Sequence, residues 1–246
     1  MASSRKVALV TGAARRIGAR IARRLHAAGY DLALHYRSSG EAMQQLAAEL
    51  ERERAGSVLA LQAELAEFDR LPELVAQAVG HFGRLDALVN NASAYYATPI
   101  GTATPAQWDE LFASNARAPF FLAQAAAPHL RAAGGAIVNV ADIYAERPLR
   151  GHALYCMAKA AQVMATKSLA LELGPEVRVN AIAPGNILWS DNPEKAETPE
   201  LVRERTALGR QGEPGDIADA VHWLLDAAPY VTGQVLAVDG GRTLSI

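Results

Sequence analysis

The stretch Val7-Ala-Leu-Val-Thr-Gly-Ala-Ala-Arg-Arg-Ile-Gly-Ala-Arg-Ile-Ala-Arg-Arg-Leu-His-Ala-Ala-Gly29 decides the fold. Val7 to Thr11 is a short apolar run ended by Gly12, which reads as a buried strand. Ile17 to Ala28 carries apolar residues at helical spacing and is closed by Gly29. A chain that passes from strand directly into helix leaves backbone N–H groups unpaired and turns the positive end of the helix dipole toward whatever lies beyond the strand. Such a turn holds a pyrophosphate. Gly12 and Gly18 permit close backbone approach. Arg15 and Arg16 sit where cations are disfavoured unless they meet an anion; the plainer reading is a pair of solvated first-turn residues.

The alternation continues. Asp31 to Tyr36 reads as a second strand, Glu41 to Arg54 as a charged amphipathic helix, Val58 to Leu61 as a third strand and Leu71 to Phe82 as a third helix. Ala87 to Asn90 is a fourth strand. A long Ala-rich helical pattern from Pro105 to about Ala133 leads through Gly134 and Gly135 into a strand at Ala136 to Val140, then a helix carrying Tyr155 and a strand at Val177 to Ala183. Strands and helices in this rhythm predict right-handed crossovers and a parallel sheet: an α/β, Rossmann-type, doubly wound domain with a mainly seven-stranded parallel sheet flanked by helices. Ligands of such folds sit beyond the carboxyl ends of the strands, where Thr11, Asn90, Asp142 and Pro184 fall.

No repeat or low-complexity tract divides the chain, so a single domain over residues 1–246 is expected. Only the region from Asn186 to Arg210, with Trp189, Asp191, Pro193 and Pro199, breaks the rhythm, and it reads as a substrate lid at about 186–210. At 246 residues and 50% apolar composition the chain buries one substantial core. A net charge of −2, from 24 basic and 26 acidic residues, leaves no electrostatic footprint for nucleic acid or an anionic membrane. Cys156 is the one cysteine, which excludes an intramolecular disulfide and a cysteine metal cluster and suits a reducing compartment. Met1-Ala-Ser-Ser-Arg-Lys6 runs straight into an apolar strand, so a cytoplasmic protein with no secretory leader or membrane span is expected.

The chemistry is carried by Asp142, Tyr155 and Lys159. Tyr155 and Lys159 are four apart in helix-compatible sequence, so phenol and ammonium share a face. An ammonium ~4 Å from a phenol at an effective dielectric of ~20 favours the phenolate by roughly 4 kcal/mol before desolvation, which predicts a tyrosine able to exchange protons near neutrality. Asp142 lies thirteen positions upstream. Each part alone has an ordinary reading: Tyr-x-x-x-Lys occurs on many amphipathic helices, and an aspartate caps helices and ends strands.

After strand two an NAD-binding fold carries an acidic residue for the ribose hydroxyl. Here the segment is His35-Tyr-Arg-Ser-Ser39. Arg37, Ser38 and Ser39 suit a 2′-phosphate, which predicts NADPH/NADP+ as the cofactor.

Taken together, the glycine turn, the Asn90-Asn91-Ala92-Ser93 segment, Asn115, Pro184-Gly185 and the Tyr155/Lys159 pair resemble the short-chain dehydrogenase/reductase family, from Lys6 through Val238-Asp-Gly-Gly241. The resemblance implies that Gly12, Arg15, Arg16, Ile17 and Gly18 hold the pyrophosphate, Arg16 replacing the family's middle glycine. It further implies that Glu64 and Leu65 meet the adenine, where the family commonly has aspartate. Asn91, Ala92 and Ser93 line the cofactor, Asn115 helps order a water beside the lysine, and Pro184, Gly185 and Ile187 adjoin the nicotinamide. Tyr155 and Lys159 contact the cofactor as well as acting in catalysis.

Asp142 stands where the family usually has serine. Serine donates a hydrogen bond to a substrate carbonyl, whereas an ionised aspartate ~4 Å from a developing oxyanion raises its energy by roughly 4 kcal/mol, about a thousandfold in rate. A carboxyl works better beside a ring nitrogen that must gain a proton. Arg-Arg-Ile-Gly in the first loop, His-Tyr-Arg-Ser after strand two, Asn-Ala-Ser-Ala-Tyr after strand four, and Asp142 together resemble the pteridine reductases. That implies hydride transfer from NADPH to a pterin or folate ring, with a proton relayed through Asp142 and Tyr155 and a homotetrameric assembly. Arg16, Ser93, Tyr95 as a stacking aromatic, and Leu188 and Trp189 of the lid are the expected substrate contacts. The rivals are another NADPH-dependent carbonyl or 3-oxoacyl reductase, disfavoured by Asp142, and a non-catalytic NADPH-sensing protein, disfavoured by the intact Tyr155, Lys159 and Asn115.

Overall fold

A computed structural model describes residues 5–187 and 197–244. Seven parallel strands form one sheet: β1 (Val7–Val10), β2 (Asp31–Tyr36), β3 (Val58–Gln62), β4 (Ala87–Asn90), β5 (Ala136–Val140), β6 (Arg178–Pro184) and β7 (Val235–Val238). They lie in the order β3-β2-β1-β4-β5-β6-β7. The order reverses between β1 and β4, whose register sets Val10 beside Val89, and this places the crevice of a doubly wound sheet beyond Thr11 and Asn90.

Every residue of β1, β4 and β5 is buried, as expected for a parallel sheet covered on both faces. Alternate strand residues feed two cores. Ala8 and Val10 pack with Leu25 of α1 (Arg16–Ala27), Leu46 of α2 (Gly40–Glu53) and Val221 of an eighth helix, α8 (Pro214–Asp226). Val7 and Leu9 pack on the other face with Leu74 of α3 (Arg70–Phe82), Leu122 of α5 (Ala118–Ala133) and Leu169 of α6 (Ala153–Leu173). Each fully buried leucine contributes roughly 1.5–3 kcal/mol, so the strand ends are presented by a rigid three-layer frame.

The helical pattern from Pro105 to Ala133 proves to be three pieces: α4 (Pro105–Phe112), a π-helical turn (Ala113–Arg117) and α5. Thr104 and Gln107 form a capping box that starts α4. The extra residue of the wide turn carries Asn115, fully buried, and π-turns of this kind mark functional positions. After β6 a short helix, α7 (Pro199–Arg205), begins at Thr198, whose side chain accepts from the amide of Leu201. Pro214 at the first helical position and a Glu213/Asp216 capping box start α8. Among the described residues, no helix is long and apolar enough to cross a membrane, and no group of three or more His, Cys, Asp or Glu is placed to hold a metal ion.

Candidate active site

The turn after β1 is shaped by what surrounds it. A Cβ on Gly18 would lie 2.1 Å from the carbonyl oxygen of Gly12, and one on Gly12 would lie 2.9 Å from Cα of Ala92. Only glycine fits at either place. The first turn of α1 has no side-chain cap and no acidic residue, so its N–H groups face outward, and exposed Arg15 and Arg16 add positive charge. Arg16 has φ +52°, a left-handed conformation that an L-residue adopts at a cost of roughly 1–2 kcal/mol; this explains why the family places glycine there. Ile17 is partly buried against the core. These features fit a nucleotide pyrophosphate.

Two side chains tie this turn to its neighbours. Thr11 Oγ1 accepts from the amides of Asn91 and Ala92, each at 3.0 Å, and Asn91 Nδ2 donates to the carbonyls of Thr11 and Gly12. His35 Nδ1 accepts from Gly12 N at 3.2 Å while Nε2 faces the Ala63 carbonyl at 3.1 Å, an arrangement that requires a neutral ring. Burial lowers its proton affinity, in keeping with that. His35 lay inside the quoted motif, yet nothing in its spacing pointed to this brace.

Arg37 and Ser38 are exposed at the end of β2, with Ser39 partly so. The Arg37 guanidinium lies 3.6 Å from a carboxylate oxygen of Glu64, while Leu65 is buried in the second core. The positive group expected to meet a 2′-phosphate is therefore already facing a carboxylate.

At the ends of β5 and α6 the three chemical residues converge. Asp142 begins a one-turn 3-10 helix, Oδ1 accepting from Tyr144 N at 2.9 Å. Its other oxygen accepts from the Tyr155 hydroxyl at 2.6 Å. Lys159, 1% exposed, donates to the Val140 carbonyl at 2.8 Å and to Gln162 Oε1 at 3.3 Å; its ammonium sits 5.8 Å from the centre of the Tyr155 ring. Burial raises the proton affinity of the Asp142 carboxyl, against the hydrogen bonds from Tyr155 and Tyr144 and the charge of Lys159. Burial, then the charge and hydrogen bond of Asp142, push Tyr155 well above its ordinary value. Burial lowers Lys159 to about 8, opposed by Asp142.

The expected acidification of Tyr155 is thus reversed. Burial is the first reason and proximity the second: the phenol is shut away from water and touched by the Asp142 carboxyl, whereas the ammonium is held by Val140 and Gln162. The pair retains its proton, and Tyr155 is a neutral O–H donor.

The Asn115 side chain braces its own surroundings. Its amide donates to the carbonyls of Ala94 and Leu111, both at 2.9 Å, and its oxygen accepts from Ser93 Oγ at 2.7 Å, so it fixes the loop after β4. The Ser93 hydroxyl opposes the upward shift of the Tyr155 phenol. Tyr95, 51% exposed, meets Tyr155 edge-on with ring centres 4.9 Å apart, and His152 stacks on it at 4.9 Å and 13°. One Tyr95 face is therefore taken by His152, a neighbour that its separation in sequence concealed. Pro184 ends β6, and Gly185 is pressed on Asp239, which a Cβ would approach to 2.6 Å. The Ile187 side chain is buried in the first core, leaving its backbone for contacts. Leu188 and Trp189 lie outside the described residues.

A family model described as Enoyl-(Acyl carrier protein) reductase matches residues 12–243. The chain belongs to the short-chain dehydrogenase/reductase family. As a member it is an oxidoreductase that works with a nicotinamide cofactor on a small molecule. Among related short-chain reductases, the protein named ketoacyl reductase 2 of the granaticin polyketide synthase of Streptomyces violaceoruber is 41% identical over 245 residues, covering 97% of this chain and 96% of that one. Pteridine reductase 1 of Leishmania tarentolae is 36% identical over 279 aligned positions, covering 97% and 96%. The 3-oxoacyl-(acyl-carrier-protein) reductase FabG of Staphylococcus aureus is 36% identical over 241 residues, covering 96% and 97%.

Proposed function

We propose that this chain is an NADPH-dependent pteridine reductase, a cytoplasmic homotetramer of single-domain subunits that reduces a pterin or folate ring, chiefly from the dihydro to the tetrahydro form. A reduced nicotinamide supplies a hydride when bound. The groups that would hold the nucleotide are the backbone of Gly12 to Gly18 with Arg15 and Arg16, the Arg37-Ser38-Ser39 segment at the adenosine ribose, and Asn91 to Ser93, Lys159 and the Pro184 to Ile187 backbone toward the nicotinamide. Two of the three Lys159 donors are engaged by Val140 and Gln162, and the third is assigned to the nicotinamide ribose.

One observation carries the reading: the hydrogen bond from Tyr155 to the buried carboxyl of Asp142. C=N reduction delivers hydride to a ring carbon and needs a proton on the adjacent nitrogen. Tyr155, kept protonated by burial and by Asp142, donates that proton; Asp142, whose proton affinity is raised by burial, enters the step protonated and returns its own proton to the phenolate so formed. Tyr95 presents its open face and Arg16 and Ser93 their polar groups to the flat heterocycle, stacking being worth roughly 1 kcal/mol beyond area burial.

The identity to ketoacyl and 3-oxoacyl reductases favours a second reading, an NADPH-dependent carbonyl reductase. There Asp142 has to stay protonated throughout, since its charge opposes an oxyanion; in the pterin reading its proton is spent in refilling Tyr155. NADPH consumption with dihydrobiopterin and dihydrofolate tests the proposal against an acetoacetyl thioester. Turnover of the thioester alone would hand the assignment to the second reading.

A further inference from the structure

The face of α6 that meets the sheet carries an unexpected polar column. Lys159, Gln162 and Thr166 follow one another at helical spacing and are each 1% exposed or less, with Val163 and Leu169 of the same helix in the apolar cores. Asn139 of β5 donates to Thr166 Oγ1 at 2.8 Å, and Thr166 donates to the main-chain carbonyl of Gln162 at 2.9 Å. Asn90 of β4 donates to Asn139 at 2.9 Å. The column therefore runs from the centre of the sheet to Gln162, whose side-chain oxygen takes up the ammonium of Lys159.

Gln162 is costly where it stands. Its Nε2 is buried without a hydrogen-bond partner, and an apolar side chain of similar size would avoid that penalty. Buried polar groups that break the local rule in this way belong to functional sites. An acceptor on a buried ammonium does two things: it favours the charged form and fixes where the remaining donors point.

We infer that Gln162 is a positioning residue for Lys159, its carboxamide oxygen holding the ammonium while Thr166, Asn139 and Asn90 anchor the helix turn that carries it. The inference deepens the proposed function and rests on its assignment of Lys159 to the reaction. The groups around the ammonium are the Val140 carbonyl, Gln162, the Tyr155 ring and the carboxyl of Asp142; removing Gln162 leaves Asp142 as the charge acting on it.

The test uses Gln162→Leu, with Gln162→Met as a second variant should the first fold poorly, each made alone and with Lys159→Met. Thermal midpoints of the nucleotide-free protein are followed from pH 7 to 10.5. Loss of the acceptor lowers the proton affinity of Lys159, so each Gln162 variant should lose stability relative to the parent below pH 8 and recover it toward pH 10. That dependence should vanish beside Lys159→Met. In turnover with NADPH and dihydrobiopterin or an acetoacetyl thioester, the alkaline limb should move down by about one pH unit, and Gln162→Glu should move it up. The same pH dependence of stability with and without Lys159, or an unmoved limb in a folded variant, would overturn the inference. A Lys159-dependent stability change without turnover of either probe would leave the positioning role standing and remove the catalytic reading of Lys159.

Discussion

Tyr155 donates its phenolic hydrogen to Oδ2 of Asp142 at 2.6 Å, thirteen residues upstream and on a different element. The phenol keeps its proton in that bond, and burial and the carboxyl, rather than the neighbouring ammonium, set its state.

Replacing Asp142 with asparagine keeps an acceptor for Tyr155 and removes an acid whose charging is opposed by burial. The folded-state proton affinity of Asp142 is raised, so the parent loses stability as pH rises from the unfolded carboxylate range through the folded one. Asp142→Asn should therefore gain thermal stability over the parent as pH climbs from 4 toward neutrality, while pterin turnover falls by roughly a hundredfold or more. A melting series across that range, read beside turnover, checks both.

Lys159 is lowered to about 8 and Tyr155 is pushed well above its ordinary value. The alkaline limb of kcat/KM should accordingly lie near pH 8 and belong to the lysine. Because its folded value lies below its unfolded one, the unfolded chain binds more protons between about 8 and 10.5, and stability contributed by this group rises with pH there. An alkaline limb at pH 10 would reassign it.

Much of this was legible in the sequence for physical reasons. A parallel sheet buried on both faces writes its strands as short apolar runs, and the Asp142, Tyr155 and Lys159 spacings follow from a strand end and one helical turn. The π-turn at Asn115 was hidden because apolar residues continue on both sides of it. His152 was hidden because its contact with Tyr95 joins segments remote in the chain, and Gln162 because a polar residue inside a helix ordinarily faces water. The direction of the Tyr155 shift differs from the spacing's implication because spacing supplied the lysine but neither the burial of the phenol nor the distance to the carboxyl.

Arg37 faces Glu64 at 3.6 Å, so on the proposed NADPH reading a 2′-phosphate and a carboxylate compete for one guanidinium. Arg37→Ala should weaken NADPH roughly tenfold to a hundredfold with NADH little changed. Glu64→Gln should tighten NADPH. Dissociation constants for both nucleotides at fixed salt decide it.

Arg16 occupies a left-handed conformation at φ +52°. The penalty of roughly 1–2 kcal/mol exceeds the entropic cost of glycine, about 0.5–1 kcal/mol, so Arg16→Gly should raise stability by about 0.5 kcal/mol. NADPH affinity should fall about tenfold with the lost charge. Denaturant midpoints and nucleotide titration measure the two opposed effects.

On the proposed function the Asp142 and Tyr155 pair serves a ring nitrogen. This is tested most directly by kcat/KM for dihydrobiopterin and for an acetoacetyl thioester, at saturating NADPH, in the parent and in Asp142→Ser. The parent should prefer the pterin, and the variant should lose at least roughly a hundredfold on it while binding NADPH as before and improving on the thioester. A parent that reduces only the thioester, or a variant with undiminished pterin turnover, would contradict it.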